Sequence, residues 1–274
     1  MHTDTWRLII TPPATGAYNM ALDEALLEGM PASNSKPVLR LYAWEPACLS
    51  IGYAQPFADV DQDALKHHGW HLVRRITGGR AILHTDEITY SVITPITEPR
   101  MAGSILESYR NISRALLQVL AGFNLSVQAD REYDLPSGST KNAPVCFEVP
   151  SSYEITVNER KLIGSAQARK KDGIIQHGTL PLCGDLYRIT LALAFPNEEA
   201  RATAAERLLS HATTLEQVTQ RRVSWQEASR QFIRAFEETL NIQFEESALS
   251  DAEHARTLEL VAAKYAHPDW TLRL

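Results

Sequence analysis

The stretch 153–182 constrains the fold of this chain more than any other. Residues 153–157 alternate with the period of a half-buried strand, and Asn158-Glu159 then offers a turn. Residues 161–168 read as the returning strand. Lys170-Lys171-Asp172-Gly173 makes a second turn, since Asp-Gly tolerates positive φ. Residues 174–182 are a third strand. Three strands joined by turns this short give an antiparallel meander.

The flanking sequence adds helices and more strands. Residues 19–27 (NMALDEALL) predict a short amphipathic helix, with Met20, Leu22, Ala25, Leu26 and Leu27 inward and Asp23 and Glu24 outward. Residues 38–42 and 48–53 are β-like, residues 59–68 helical, and Gly69 is a natural stop. Residues 72–75, 81–84 and 88–93 read as a strand–loop–strand passage. Residues 103–122 predict the clearest helix, with Ile105, Tyr109, Ile112, Leu116 and Leu120 on one face. Residues 131–144 have loop chemistry. After Asp185 the pattern turns helical. Ser224–Glu227 and Ser250–Glu253 both fit a capping box, and Trp225, Ala228, Phe232, Phe236 and Leu240 form a buried stripe. The expected fold is α+β, a mostly antiparallel sheet packed with helices. No linker forces a cut, so residues 1–274 read as one domain, with the helical end from about residue 185 a candidate subdomain.

Composition narrows the function. The net charge of −6 argues against a general nucleic-acid binder. No apolar run has bilayer length and residues 1–10 lack a secretory pattern, so the expected compartment is the cytoplasm, with no membrane partner. Cys48, Cys146 and Cys183 are sparse and far apart, which predicts neither disulfides nor a zinc site.

Four stretches can carry chemistry. In Arg74-Arg75-Ile76-Thr77-Gly78-Gly79-Arg80, leading to His84, paired glycines let backbone N–H groups approach a ligand. A plain turn with solvated arginines is the commoner use of such a stretch. Cys146 lies between a long loop and the meander, where an activated thiolate would serve as nucleophile; an isolated cysteine is more often packing, and Cys48 and Cys183 are read so. Lys161 precedes Gly164-Ser165-Ala166, whose small side chains leave room for a ligand; an edge-strand lysine explains it equally well. His177, before Gly178, suits a hydrogen-bonded structural residue better than a lone base.

Together these stretches resemble the biotin/lipoate protein ligase and lipoyl-transferase superfamily. The resemblance rests on NMALDEALL at 19–27, LYAWEPACLSIGYAQ at 41–55, RRITGGRAILHTDEITYSV at 74–92 and VCFEVPSSYEITVNERKLIGSAQARKKDGIIQHGTLPL at 145–182. It implies a sheet that holds an acyl chain in a tunnel. Within the superfamily the octanoyltransferase branch is most similar, through Cys146 in VCFEVPSSYE. The ATP-dependent ligases share the arginine, glycine and lysine positions without relying on a cysteine there. The branch implies an acyl-cysteine at Cys146 tuned by Lys161, with Arg75, Thr77, Gly78, Gly79, Arg80, His84, Gly164, Ser165, Ala166, His177 and Gly178 around the substrate. It also implies no cofactor and no metal, with octanoyl-acyl carrier protein as donor. A lipoyl-domain protein such as glycine cleavage H protein is the acceptor, and a monomer is the default. An ATP-dependent lipoate–protein ligase and a non-catalytic acyl-carrier binding protein are the alternatives.

Acyl carrier proteins and lipoyl domains are acidic as families. Arg160, Lys161, Arg169, Lys170 and Lys171 fall on one predicted hairpin and Arg74, Arg75 and Arg80 on a neighbouring loop, a candidate basic docking rim. Lys-Lys-Asp-Gly is equally ordinary hairpin-tip chemistry.

Overall fold

The computed structural model describes residues 4–31, 35–125, 128–129 and 155–274. Strand β1 (Asp4–Ile10) leads into helix α1 (Gly16–Glu28), which Thr15 caps by accepting from the Tyr18 amide at 3.3 Å. Strand β2 (Val38–Tyr42) is buried at every position, and β3 (Cys48–Ile51) follows. Residues 59–68 do not form one helix. A 3-10 turn at Phe57–Asp59 ends where Val60 bridges to Leu193, and α2 (Gln62–His68) starts afresh with Asp61 as its cap. Gly69 stops α2 in the left-handed conformation, φ 67°. Strands β4 (His71–Arg74), β5 (Ile82–His84) and β6 (Glu87–Thr94) lead to α3 (Ile105–Ala121). There Tyr109, Ile112, Leu116 and Leu120 are buried as predicted, whereas Ile105 is 56% exposed in the first turn, where the helix projects beyond the core.

The meander forms. Strand β7 (Gln128–Ala129) pairs with β8 (Ile155–Val157), which turns back through Asn158 and Glu159, both left-handed, into β9 (Arg160–Arg169). Strand β10 (Ile174–Pro181) returns antiparallel to β9. Gly173 is not left-handed at that turn. A Cβ there would stand 2.3 Å from the Thr94 carbonyl oxygen, so lack of space rather than φ demands glycine.

Helices α4 (Glu198–His211), α5 (Leu215–Thr219) and α6 (Trp225–Leu240) follow, then a strand the sequence reading missed, β11 (Ile242–Glu246), and α7 (Asp251–Leu260) and α8 (Pro268–Thr271). Ser250 and Glu253 complete a capping box. At Ser224 only half of one forms, because Glu227 turns to Arg221 at 2.6 Å.

The large sheet runs β11-β1-β2-β6-β10-β9-β8-β7, parallel only across β11-β1-β2, and a small sheet runs β4-β3-β5. Helices α3 and α6 cover one face of the large sheet, burying Phe232 and Phe236 against Tyr90. Helix α1 covers the other, with Leu260 and Tyr265 behind it. A third cluster joins the small sheet to the 3-10 segment Leu186–Ala192 and α4. No helix among the described residues is long and apolar enough to cross a membrane.

Candidate active site

Between the two sheets lies a narrow cleft of about 40 Å³. Met20, Tyr42, Trp44 and Ile82 give it apolar walls, and Arg75, Gly79 and His84 approach from the small-sheet side. From the meander come Gly164, Ser165, Ala166, His177 and Gly178, brought level because His177 pairs with Ala166 and Gly178 with Ser165. Gly178 serves packing: a Cβ would lie 2.5 Å from the Gly164 carbonyl oxygen and 2.5 Å from Ser165 Oγ.

Two buried carboxylate–histidine pairs support the cleft, and both lead to the glycine loop. His177 Nδ1 lies 3.3 Å from Asp23 Oδ2, and Nε2 lies 2.7 Å from Thr77 Oγ1. A carboxylate only accepts, so Nδ1–H donates to Asp23 and Nε2 accepts from Thr77, the pattern of a neutral imidazole. Burial lowers the His177 pKa, outweighing Asp23, in agreement with that tautomer. For Asp23 burial alone would raise the carboxyl, but Arg40, then His177 and Ser91, hold it below the usual carboxylate range. Arg40 Nη1 reaches Asp23 at 2.7 Å, and Ser91 and the Tyr42 hydroxyl donate to the same carboxylate at 2.7 and 3.1 Å.

In the second pair His84 Nδ1 lies 2.6 Å from Glu87, and Nε2 lies 2.6 Å from Ser50 Oγ. The His84 ring stacks on Trp44 at 3.9 Å and 8°. For Glu87, too, burial opposes ionisation, and His84, Thr179 and Thr89 turn the balance, lowering its pKa. Arg75 donates to Ser50 Oγ at 2.6 Å and to the carbonyls of Gly78 and Arg80 at 3.2 and 2.9 Å.

The loop held in this way is exposed at Gly78 and Gly79. Gly79 is left-handed at φ 92°, and its carbonyl oxygen would stand 1.9 Å from a Cβ on Gly52, so glycine meets glycine there. The arginines are not free anion ligands. Arg74 is fully buried and donates to the carbonyls of Gly52, Gln55 and Thr271 at 2.9, 2.6 and 2.8 Å. Thr77, Gly78 and Arg80 adjoin the cleft without lining it. Lys161 is 3% exposed at the start of β9, its carbonyl accepting from the Thr213 amide at 3.0 Å. It too is outside the cleft lining, three positions before Gly164. Cys146 lies outside the described residues. Cys48 is fully buried and its pKa is strongly raised by burial and then by Glu87, which fits packing. Cys183 is half-buried.

Sequence reasoning placed Asp23 outside, yet it is 1% exposed, turned inward by the charge of Arg40 on β2. Arg40, Tyr42, Trp44, Ser50 and Glu87 were also missed. One signal was present: Asn19 and Asp23 are four apart, on one face of a helix otherwise apolar there, and both bond Arg40.

This fold and cleft define a known class of enzyme. Residues 15–237 match the lipoyl protein ligase A/B catalytic domain, and the chain belongs to that family. It is an acyltransferase, for its full-length relatives are. The octanoyltransferase LipM of Brevibacillus brevis is 37% identical over 274 residues, covering 98% of this chain and 99% of that protein. The octanoyltransferase LipM of Bacillus subtilis is 38% identical over 280 residues, covering 100% of each. Among solved structures, a bipartite lipoate protein ligase of Thermoplasma acidophilum superposes with a TM-score of 0.83 at 25% identity, over 99% of this chain and 97% of that one. A lipoate-protein ligase A bound with ATP gives 0.79 at 25% identity, over 98% of each.

Proposed function

We propose that the chain transfers octanoyl from octanoyl-acyl carrier protein to a lysine of a lipoyl-domain protein, glycine cleavage H protein first among them, through a thioester on Cys146. The observation that carries this reading is the full-length match, at 37–38% identity, to proteins named octanoyltransferase. In the first step the Cys146 thiolate attacks the donor thioester carbonyl, and the carrier leaves as a thiolate that takes up the proton Cys146 had given up. In the second, the acceptor lysine amine attacks, the amide forms, and Cys146 is released. Thioester exchange is nearly balanced and amide formation is downhill, so neither step needs ATP or another cofactor.

Each role has a physical basis. Met20, Tyr42 and Trp44 offer the acyl chain an apolar wall. The Gly78-Gly79 backbone supplies N–H groups for the developing oxyanion, with Thr77, Arg75 and Arg80 holding the loop. Lys161 raises the thiolate share of Cys146 or orients the carbonyl. His84 and neutral His177 line the pocket. Intact mass after mixing with octanoyl-acyl carrier protein tests the reading. One octanoyl adduct should map to Cys146, vanish in Cys146→Ser or become a slowly turning-over ester, and persist in Cys183→Ser. An adduct on Cys183, or full turnover in Cys146→Ala, would refute it.

The structural likeness to lipoate-protein ligases, one of them bound with ATP, favours a second reading as an ATP-dependent ligase. Lipoate-dependent AMP formation that survives Cys146→Ala would establish that activity instead.

A further inference from the structure

Beside the glycine loop lies a group of cations that the cleft does not use. Tyr53 follows Gly52, its backbone N–H donates to the Thr77 carbonyl at 2.8 Å, and its side chain stands 43% exposed. The Arg273 guanidinium lies 4.0 Å from the Tyr53 ring centroid and 3.9 Å from that of Trp270. Lys170 Nζ, from the tip of the β9–β10 hairpin, is 5.6 Å from the Tyr53 ring, and Lys171 beside it is exposed. Lys264, which also packs on Trp270, is neutralised by Glu24 at 2.7 Å. Lys170, Lys171 and Arg273 form no such pair among the described residues. Even with Asp172 in the same turn, three cations outside any ion pair among the described residues leave the group net positive in a chain of net charge −6.

The basic rim expected from the sequence is therefore smaller and differently composed. Arg74 and Arg75 are buried on backbone carbonyls, Lys161 is buried, and Arg169 donates to the carbonyls of Met101, Gly103 and Ser104. Arg80 and Arg160 are half-buried, and the exposed members are Lys170 and Lys171, joined by an arginine and a tyrosine from elsewhere in the chain. Because Tyr53 is bonded to Thr77, the group sits against the loop that carries Gly79 into the cleft.

We propose that Tyr53, Lys170, Lys171 and Arg273 form the docking surface for the acyl donor, an acyl carrier protein. This rests on the function proposed above. The donor brings an acidic face and an arm whose phosphodiester is also anionic, so both complement the patch. Lipoyl domains are acidic too, but they lack the phosphodiester arm, which is what favours the carrier as the occupant.

Binding is read without transfer by titrating acyl carrier protein that bears its arm but no acyl group. A Lys170→Glu, Lys171→Glu double variant and Arg273→Glu should each weaken Kd about tenfold and flatten its salt dependence. Arg234→Glu, on α6 across the sheet, should leave Kd unchanged. The second-order rate of octanoyl loading should fall in parallel with Kd. The rate at which pre-loaded enzyme reacts with lipoyl-domain protein should not fall. Circular dichroism confirms that each variant is folded. Wild-type Kd and salt slope in both variants would overturn the proposal, as would a loss confined to the acceptor step. Since carrier binding needs no chemistry, a chain that binds the carrier but transfers nothing would sink the proposed reaction and leave this surface standing.

Discussion

Removing Asp23 should unbalance the centre of the molecule. Arg40 is fully buried, and its carboxylate partner is Asp23 at 2.7 Å. Arg40 Nε already has no hydrogen-bond partner among the described residues. Asp23→Ala leaves a guanidinium in the core without a counter-charge and strips an acceptor from Tyr42, Ser91 and His177. Breaking one side of a buried pair costs about 3–5 kcal/mol. For a chain of this size about 1 kcal/mol moves Tm by roughly 2–4 °C, so Tm should drop by roughly 6–20 °C. Replacing both partners with apolar residues, Asp23→Leu with Arg40→Met, should recover most of that loss, since no buried charge is left over. Thermal melts of wild type, the single variant and the double variant form the assay. A fall of less than about 1 kcal/mol in Asp23→Ala, or a double variant no more stable than the single one, would refute the account.

Other consequences follow from the same geometry. His177 has a lowered folded pKa, so the folded state resists its protonation. Its stabilising contribution is present above about pH 6.5 and is lost as pH falls toward the folded value, so His177→Gln should flatten the stability–pH curve below about 6.5. An unchanged slope in chemical denaturation across that range would contradict this. Gly79→Val forces a β-branched residue to φ 92°, a strain of about 1–2 kcal/mol in an exposed loop. The variant should fold, with a Tm close to wild type, and transfer poorly; near-normal kinetics would make the loop a mere turn. Lys161→Ala should cut transfer severely, and if Lys161 promotes the thiolate it should slow alkylation of Cys146 at neutral pH. Normal alkylation together with normal turnover would return Lys161 to a packing role.

Much of the fold was legible because it is local. The strand period and two short turns announce the meander, and Ser250 with Glu253 announces α7. Strand β11 was not legible: Ile242 and Phe244 alternate correctly, but Gln243, Glu245 and Glu246 are poor strand formers, and its partner β1 lies far away in sequence. The glycine loop and the small residues of β9 were visible as motifs. Asp23 and Arg40 were not, since a charged residue on an amphipathic helix reads as solvent-facing unless its counter-charge on another element is known. Arg74 and Arg75 were read for their charge, while what positions them is the number of backbone carbonyls each can reach.

The pairing of β11 with β1 also bears on the order in which the molecule can be made. Asp4 lies beside Ile242 and Leu8 beside Glu246, so one edge of β1 has no neighbour until residues 242–246 have been synthesised. During that interval Trp6 and Leu8, both core residues, belong to an open strand edge, the kind of surface that recruits other chains. Nascent chains ending at Asn241 should accordingly self-associate when released, and a soluble, monomeric 1–241 fragment would contradict this. Strand β11 thus doubles as a late-arriving protective edge for β1, and the rate of synthesis between the two becomes a determinant of yield.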